Sequence, residues 1–378
     1  MGFTIIQGSE AWKSVLKNDF SRWSHDLDRI KHDFANIHHQ PKFELSSSDS
    51  FFCMGSCFAR NIEEHLIYRN VSVLSKAVIS PKIECSTRIN GFLNKFAAHS
   101  MVNELEWVLC EPVIDELFFD ESSEGWHDLQ LAPGISSVSL DRAVERRKYL
   151  LSEYFSRIST ASVIVLTLGL NEVWFDNNSM CYLNCAPGYY AVRREVNRYD
   201  LHVTNADQNI VELERIWVIM QEINPDARII ITVSPVPMSD TFSGRDVLAA
   251  NIYSKSTLRV AAETFAMRHE NVDYFPSYDM VMMTRREIAF ASDFLHVSDR
   301  IVGRVMSEFF RLYLKSEIEP VQFTELGYLA ANPDVEDAVR LTTFSSGFEH
   351  WQLHGKAEGR LLTPEGGPTE LMIAAGAV

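Results

Sequence analysis

The sequence predicts an α/β protein built as a three-layer α/β/α sandwich around a parallel sheet of about five strands. Five short apolar runs are rich in β-branched residues, and turn residues follow each of them, as is typical of strands. Helix-like segments separate these runs, and this alternation favours a parallel sheet with helices on both faces. The third and fourth runs are apolar on both faces, which indicates strands buried inside such a sheet.

The elements follow one another in a regular order along the chain. The predicted strands are FFCM from Phe51, VSVL from Val71, SVIVLTLG from Ser162, ARIIITVSPVP from Ala227 and NVDYF from Asn271. The predicted helices cover residues 59–68, 141–158, 210–223 and 247–269. In sheets of this kind the functional loops gather at the carboxyl ends of the strands. The residues that directly follow each apolar run are therefore the first candidates for a functional site.

Changes in composition divide the chain into three parts. Residues 1–45 are predicted to form an N-terminal arm that packs on the core, residues 46–316 the α/β domain, and residues 317–378 a small helical module with a flexible tail. Within this module Asn332 is a candidate N-cap, Pro333 suits the first helical turn, and Asp334 is favourable to the helix dipole. His350 and His354 lie at helical spacing among aromatic residues, which favours a packing role.

Composition and charge narrow the classes of function. The 378 residues include 35 basic and 51 acidic side chains, giving a net charge of −16, and the sequence shows no basic stripe of the kind that binds nucleic acid. The six cysteines form no CxxC pair and no metal-ligand set, so we expect reduced thiols and no metal or cofactor. With no evident signal peptide and no apolar run long enough for a membrane span, we expect a cytoplasmic protein. The sequence does not indicate an oligomeric state.

The stretch FFCMGSCFARNIEEHL from Phe51 breaks at Gly55 and restarts at once as a helix. Gly55 permits backbone torsions closed to other residues, and Ser56 would stand at the end of a strand and over the start of a helix. The helix dipole and its free N–H groups favour a developing negative charge there. A nucleophile, a phosphate site and a simple tight turn all fit this pattern, although a phosphate site lacks its glycine-rich signature.

Two further segments carry groups that a serine nucleophile needs. In ASDFLHVSDR, Asp293 precedes His296 by three positions, a spacing that lets a carboxylate orient its histidine as the general base. In TLGLNEVWFD, Asn171 follows a predicted strand, and its amide could donate to an oxyanion. A surface helix start and a turn cap are the structural alternatives for these two segments. The order of the three segments along the chain is more informative than any one of them.

These segments resemble the GSCFA family, a branch of the SGNH (GDSL-like) hydrolase superfamily. GSCFA at residues 55–59 resembles the family signature, Gly169 to Glu172 resembles a GxND block with glutamate in place of aspartate, and Asp293 with His296 resembles a DxxH block. Further similar stretches are GWHDLQLAP from Gly125, YLNCAP from Tyr182, TVSPVPMSDTF from Thr232, NIYSKSTL from Asn251 and YFPSYDMV from Tyr274. The resemblance covers residues 40–310 and implies a flavodoxin-like parallel sheet.

The resemblance also implies a role for each matching residue. Ser56 would be the nucleophile, His296 the base and Asp293 its orienting partner. The N–H of Ser56 and the amide of Asn171 would form part of the oxyanion hole, and Gly91 or Asn94 would supply a further donor. Cys57 offers a rival nucleophile, but we expect its side chain to point away from that of Ser56.

The implied activity is serine-dependent acyl-ester chemistry on a carbohydrate. The expected function is an SGNH-type O-acetylesterase, and the same site would also serve an O-acyltransferase with a sugar hydroxyl as acceptor and its own acyl donor. A non-catalytic glycan-binding protein is a third alternative. The candidates for substrate contact are Trp126, His127, Arg60 and Trp174. Trp174 could instead pack in the core, and Arg60 could instead be a charge on the helix surface. The C-terminal module resembles a short bacterial module found on glycan-related proteins.

Overall fold

The computed structural model describes residues 5–23, 33–35, 37–69, 71–76, 84, 91–315, 323–341, 343–344 and 346–364. The strands are β1 (Ser50–Gly55), β2 (Ser72–Val73), β3 (Asp120–Ser122), β4 (Gly125–His127), β5 (Val163–Leu168), β6 (Glu172–Asp176), β7 (Cys181–Tyr182), β8 (Tyr199–Val203), β9 (Arg228–Val233) and β10 (Val272–Tyr274).

Helices flank these strands along the chain. They are α1 (Gly8–Lys17), α2 (Cys57–Ile67), α3 (Ala98–Cys110), α4 (Leu140–Tyr149), α5 (Tyr189–Arg194), α6 (Ala206–Ile223), α7 (Val247–Arg268), α8 (Ser277–Met283), α9 (Arg286–Ala289), α10 (Asp299–Tyr313), α11 (Glu325–Ala331), α12 (Pro333–Arg340), α13 (Gly347–His350) and α14 (Lys356–Glu358). Short 3-10 or π-helical turns cover Asp19–Ser21, Gly91–Leu93, Glu116–Phe118, Leu150–Tyr154, Phe155–Thr160 and Trp351–Gly355.

The central sheet is parallel and confirms the predicted fold class. Its five strands lie in the order β10-β9-β5-β1-β2, with Phe51 of β1 opposite Val163 of β5 and Val163 opposite Arg228 of β9. This is the flavodoxin-like strand order, in which the side of the sheet on which new strands are added changes between β1 and β5. All five predicted runs form strands of this sheet, and each of the four predicted helical segments begins or continues as a helix.

Alternating side chains of the strands build two apolar cores, one on each face. Phe52 and Met54 of β1 pack on the face covered by α3, α6 and α7. Phe51 and Cys53 pack on the opposite face, which α2 and α10 cover. Because successive strand residues point to opposite sides, one strand contributes to both cores, and this explains the runs that are apolar on both faces.

The structure adds elements that the sequence analysis did not predict. A hairpin pairs β3 with β4, and a three-stranded antiparallel sheet has the order β7-β6-β8. The helices α3 and α10 were also not predicted. The strand β6 directly follows the loop after β5, so this smaller sheet stands above the carboxyl edge of the central sheet. It forms one wall of the candidate site.

The terminal parts differ in how they meet the core. Helix α1 buries none of its residues, whereas Leu45 is buried and Phe43 packs beside it against the core covered by α2 and α10. At the other end α11 to α13 share an apolar cluster with Tyr68, which lies directly after α2, and the Glu325 N–H donates to the Tyr68 hydroxyl. His350 contacts the Tyr328 hydroxyl inside this cluster. No helix in the described ranges is long and apolar enough to cross a membrane.

Candidate active site

A cavity of about 360 Å³ opens at the carboxyl edge of the central sheet. Ser56 directly follows β1, Gly169 follows β5 and Ser234 follows β9, and all three residues line it. Parallel strands bring their carboxyl ends to one edge, so segments far apart in sequence meet at this position. The cavity therefore lies where the strand order predicts a functional site.

Gly55 allows β1 to end close against β5 and to present Ser56. Its φ is +157°, and a Cβ at this position would lie 2.5 Å from the Thr167 carbonyl oxygen, closer than real Cβ atoms come. Ser56 is buried and is the N-cap of α2, where its Oγ accepts a hydrogen bond from the Phe58 N–H at 3.4 Å. The strand thus breaks at Gly55 for a steric reason, and Ser56 stands at the N-terminus of an 11-residue helix.

The acid–base pair is formed in the loop between α9 and α10. His296 Nδ1 lies 2.6 Å from Asp293 Oδ2, while Asp293 Oδ1 accepts hydrogen bonds from the N–H groups of Leu295 and His296. Partial burial acts to raise the pKa of Asp293, but the hydrogen bonds from His296 and Leu295 outweigh it and hold that pKa below its ordinary value. A carboxylate on Nδ1 leaves Nε2 as the nitrogen that can accept a proton.

This pair is not in hydrogen-bonding contact with Ser56. Neither Asp293 nor His296 is among the residues that line the cavity, and within the described residues no hydrogen bond joins Ser56 to His296. Hydrogen bonds between catalytic groups are often long in ligand-free enzymes and tighten with substrate. The structure therefore brings Asp293 and His296 together and leaves their contact with Ser56 unformed.

The expected oxyanion donors are engaged elsewhere. The Ser56 N–H donates to the Thr167 carbonyl at 3.2 Å, and Asn171 Nδ2 donates to the Thr204 carbonyl at 2.8 Å. Thr204 directly follows β8, whose pairing with β6 brings that carbonyl to the amide. Asn171, Gly91 and Asn94 do not line the cavity. The structure thus does not place these three residues where the sequence analysis expected them.

The loop that precedes α3 reaches the cavity through Phe96 instead. The Phe96 carbonyl accepts hydrogen bonds from the N–H groups of Gly169 and Leu170, and the Lys95 N–H donates to the Gly55 carbonyl. Phe96 itself lines the cavity, and its N–H donates to Asn184 Oδ1 at 3.0 Å. This loop therefore ties together the ends of β1 and β5 beside Ser56.

The four candidates for substrate contact occupy different positions. Trp174 lines the cavity and meets Phe242 edge to face, with 5.4 Å between the ring centroids. Trp126 and His127 lie on the β3–β4 hairpin and do not line the cavity, and the His127 ring contacts the Ser137 hydroxyl. Arg60 is buried, donates to the Cys53 carbonyl, pairs with Glu63 at 2.8 Å and does not line the cavity, so it is not the surface charge that the sequence also allowed.

Cys57 also differs from expectation, because it lines the same cavity as Ser56. As the first residue of α2 it lies at the same helix end as the serine, and both residues meet the cavity there. The site therefore presents two potential nucleophiles.

Lys255 and Ser234 are two of the polar cavity residues that sequence reasoning missed. Lys255 in the middle of α7 is buried, lines the cavity, and donates from Nζ to the Gly169 carbonyl at 2.8 Å. Burial lowers the pKa of Lys255 to about 7, while the nearby Cys57 acts in the opposite direction. Ser234 is also buried and lines the same cavity, and its Oγ has no hydrogen-bond partner in the described residues. The position of Ser234 directly after a strand was a usable signal, whereas a helical lysine carries none.

The segments with family resemblance meet at this cavity. Pro133, Asn184 and Lys255 come from GWHDLQLAP, YLNCAP and NIYSKSTL, and they line the cavity with residues of GSCFA, TLGLNEVW and TVSPVPMSDTF. In the stretch YFPSYDMV, Ser277 does not line the cavity, but its hydroxyl contacts the hydroxyl of Thr232 in β9. Stretches separated by most of the α/β domain thus build one site.

Comparisons with known proteins give a family and remote structural neighbours. No curated protein sequence matches the chain. The crystal structure of a carbohydrate esterase family 3 protein from Talaromyces cellulolyticus aligns with 71% of this chain and 99% of its own, at 12% identity and a TM-score of 0.31. The sequence model of the GSCFA family matches residues 50–309, which is more than half of the chain and includes every residue of the cavity. The chain therefore belongs to the GSCFA family.

Proposed function

We propose that this protein is a serine-dependent ester hydrolase that removes acyl groups, acetyl foremost, from a carbohydrate. The observation that carries the proposal is the position of Ser56. It stands at the N-terminus of α2, at the carboxyl edge of the sheet, in a cavity built from the segments characteristic of the family. A serine in this position meets both the dipole of the helix and a substrate held in the cavity.

In the proposed reaction Ser56 Oγ attacks the ester carbonyl and passes its proton to His296 Nε2. Asp293 holds His296 in the required tautomer and stabilises the imidazolium. His296 then protonates the leaving sugar alkoxide, and an acyl-serine remains. Water, deprotonated by His296, releases the acyl group as a carboxylic acid and restores the serine. This sequence requires the loop that carries Asp293 and His296 to reach Ser56 when substrate is bound.

The walls of the cavity suit the proposed substrate. Trp174 and Phe242 offer aromatic faces, and Leu170 and Met238 add apolar surface beside Ser56. An aromatic face can pack against the apolar face of a sugar ring, and the apolar surface can receive the methyl end of an acyl group. The same acyl-serine would pass its acyl group to a sugar hydroxyl in an O-acyltransferase, so the choice of acceptor decides between the two activities.

Hydrolysis of p-nitrophenyl acetate and of acetylated xylo-oligosaccharides tests the proposal. We expect Ser56→Ala and His296→Ala each to lower kcat/KM by at least about 1,000-fold. Ser159→Ala and His354→Ala, at exposed positions, serve as matched controls and should retain full activity. Full activity in Ser56→Ala would contradict the proposal. Acetylated oligosaccharide acceptor formed at the expense of free acetate would identify a transferase.

A further inference from the structure

Lys255 is a buried cation without a carboxylate partner in the described part of the chain. It is 1% exposed, and its Nζ donates to the carbonyl oxygen of Gly169, a neutral acceptor. Lys95 makes the contrast clear, since it is equally buried but forms an ion pair with Glu104. A buried ammonium is costly unless an anion compensates it, so an anion in the cavity would stabilise the charged form of Lys255.

Lys255 and the proposed nucleophile Ser56 lie against the same glycine and line the same cavity. The Lys255 Nζ lies 2.8 Å from the Gly169 carbonyl oxygen, and the Cβ position of Gly169 lies 3.4 Å from Ser56 Cβ. Gly169 therefore links the ammonium to the residue proposed as the nucleophile. Ser234 adds a second donor, because its buried Oγ lines the same cavity without a hydrogen-bond partner in the described residues.

We propose that the Lys255 ammonium, assisted by the Ser234 hydroxyl, stabilises the oxyanion that forms when Ser56 attacks the ester. This inference rests on the proposed function. Two of the donors that the sequence analysis expected make other hydrogen bonds, the Ser56 N–H with the Thr167 carbonyl and the Asn171 amide with the Thr204 carbonyl. A cation held in a dry site and aimed at the developing charge is a strong form of transition-state stabilisation.

The step balances without a further reactant. The bond from Ser56 Oγ to the carbonyl carbon forms, the electron pair of the C=O bond moves to its oxygen, and the serine proton passes to His296. Lys255 keeps its proton and donates a hydrogen bond to the oxyanion. When the C=O bond reforms, the bond to the sugar oxygen breaks and the proton returns through His296 to that leaving group.

The charged and titratable residues around the cavity allow Lys255 to act in this way. Cys57 lies near the ammonium, and Glu172 and Asp240 also line the cavity. Glu172 is occupied by hydrogen bonds from the Thr241 hydroxyl and the Phe242 N–H. Asp240 is exposed and accepts from the Ser239 hydroxyl. Since burial lowers the pKa of Lys255 to about 7, the ammonium loses its proton, and activity should fall, as pH rises through that value.

A structural role for Lys255 is the competing explanation. Lys255 holds the Gly169 carbonyl, and its neighbour Ser254 accepts a hydrogen bond from the Asn171 N–H, so both residues anchor the loop after β5. Ser254 does not line the cavity. Ser254→Ala therefore weakens the anchor and leaves the charge in place, which makes it the informative comparison.

Kinetics of Lys255→Met, Lys255→Arg, Ser234→Ala and Ser254→Ala on p-nitrophenyl acetate test the inference, with Ser56→Ala and the exposed Lys148→Met in parallel. We expect Lys255→Met to lower kcat by roughly 100-fold or more with little change in KM, and to abolish the fall of kcat/KM above pH 7. Lys255→Arg should recover part of the loss, and Ser234→Ala should lower kcat by about tenfold. Lys148→Met should match the unmodified protein.

Two results would overturn this inference and leave the proposed function intact. One is a Lys255→Met variant with unchanged kcat and pH profile while Ser56→Ala is inactive. The other is a Ser254→Ala variant that reproduces the loss seen in Lys255→Met, which would assign Lys255 to loop anchoring. If Ser56→Ala itself kept full activity, the proposed function would fail, and this inference would fail with it.

Discussion

Replacing Lys255 by methionine should stabilise the fold near neutral pH, and the gain should disappear in alkaline solution. Burial lowers the pKa of this lysine from 10.5 to about 7. At about 1.36 kcal/mol per pKa unit, burying the charged form costs roughly 5 kcal/mol below pH 7. Methionine fills a similar volume but leaves the Gly169 carbonyl without its donor, which costs about 1 to 3 kcal/mol.

The sign of the pH dependence follows from proton binding in the two states. Between pH 7 and 10.5 the unfolded chain keeps the proton on Lys255 while the folded protein releases it, so stability rises with pH in the unmodified protein. The variant lacks this contribution. We expect Lys255→Met to be more stable by about 2 to 4 kcal/mol at pH 6, and less stable by about 1 to 3 kcal/mol near pH 10.5.

Urea denaturation at pH 6, 8 and 10, followed by tryptophan fluorescence, measures this difference. Groups common to both proteins cancel when the variant is compared with the unmodified protein at each pH. Lys148→Met, at an exposed position, should show a difference near zero throughout. A Lys255→Met difference that is constant with pH, or a variant that is less stable at pH 6, would refute the reasoning.

Three further substitutions test other parts of the account by denaturation. Gly55→Ala should destabilise by about 3 kcal/mol or more, because its Cβ would meet the Thr167 backbone, whereas Gly188→Ala, in open space, should have little effect. Arg147→Met should cost about 3 to 5 kcal/mol by leaving the buried Asp128 carboxylate without its partner. Burial lowers the pKa of His65 to about 3, so below pH 6.5 the unfolded state binds more protons than the folded state. The free energy of unfolding should therefore fall by about 2 to 3 kcal/mol as pH is lowered from 6.5 to 4.5, and His65→Phe should abolish this loss.

The central sheet was predictable because burial on both faces leaves a clear trace in sequence. A run such as SVIVLTLG has few other structural explanations, and the turn residues after it mark the carboxyl edge. The smaller antiparallel sheet was missed for the opposite reason. Its strands β6 to β8 mix polar and aromatic residues and are only partly buried, so their sequence resembles that of loops.

The candidate site was predictable where local sequence determines local structure. Gly55 and Ser56 stand at a strand-to-helix break, and the spacing of Asp293 and His296 brings the two side chains together within one loop. Asn171 shows the limit of prediction from local sequence. Its amide donates to the Thr204 carbonyl, and Thr204 comes close only because β6 pairs with β8. Arg60 is a second example of this limit. It lies on the buried face of α2, where it contacts the Cys53 carbonyl and Glu63.

Lys255 could not be found from sequence because a lysine inside a helix is ordinarily exposed. Its burial follows from the packing of α7 against the loop after β5, which is a tertiary contact. The stretch NIYSKSTL was noted only for its resemblance to the family, and that resemblance did not single out the lysine. Buried charges of this kind become visible only when the helices are packed on the sheet.

Trapping the acyl-enzyme tests most directly the claim that Ser56 is the nucleophile. The protein is mixed with p-nitrophenyl acetate, quenched with acid within the first turnover, digested and mapped by mass spectrometry, with Ser56→Ala and Cys57→Ala treated identically. Ser56 and Cys57 line the same cavity, so the map has to distinguish neighbouring residues. We expect one acetyl group on Ser56, retained in Cys57→Ala and absent from Ser56→Ala. An acetyl group on Cys57 that persists in Ser56→Ala would contradict that claim.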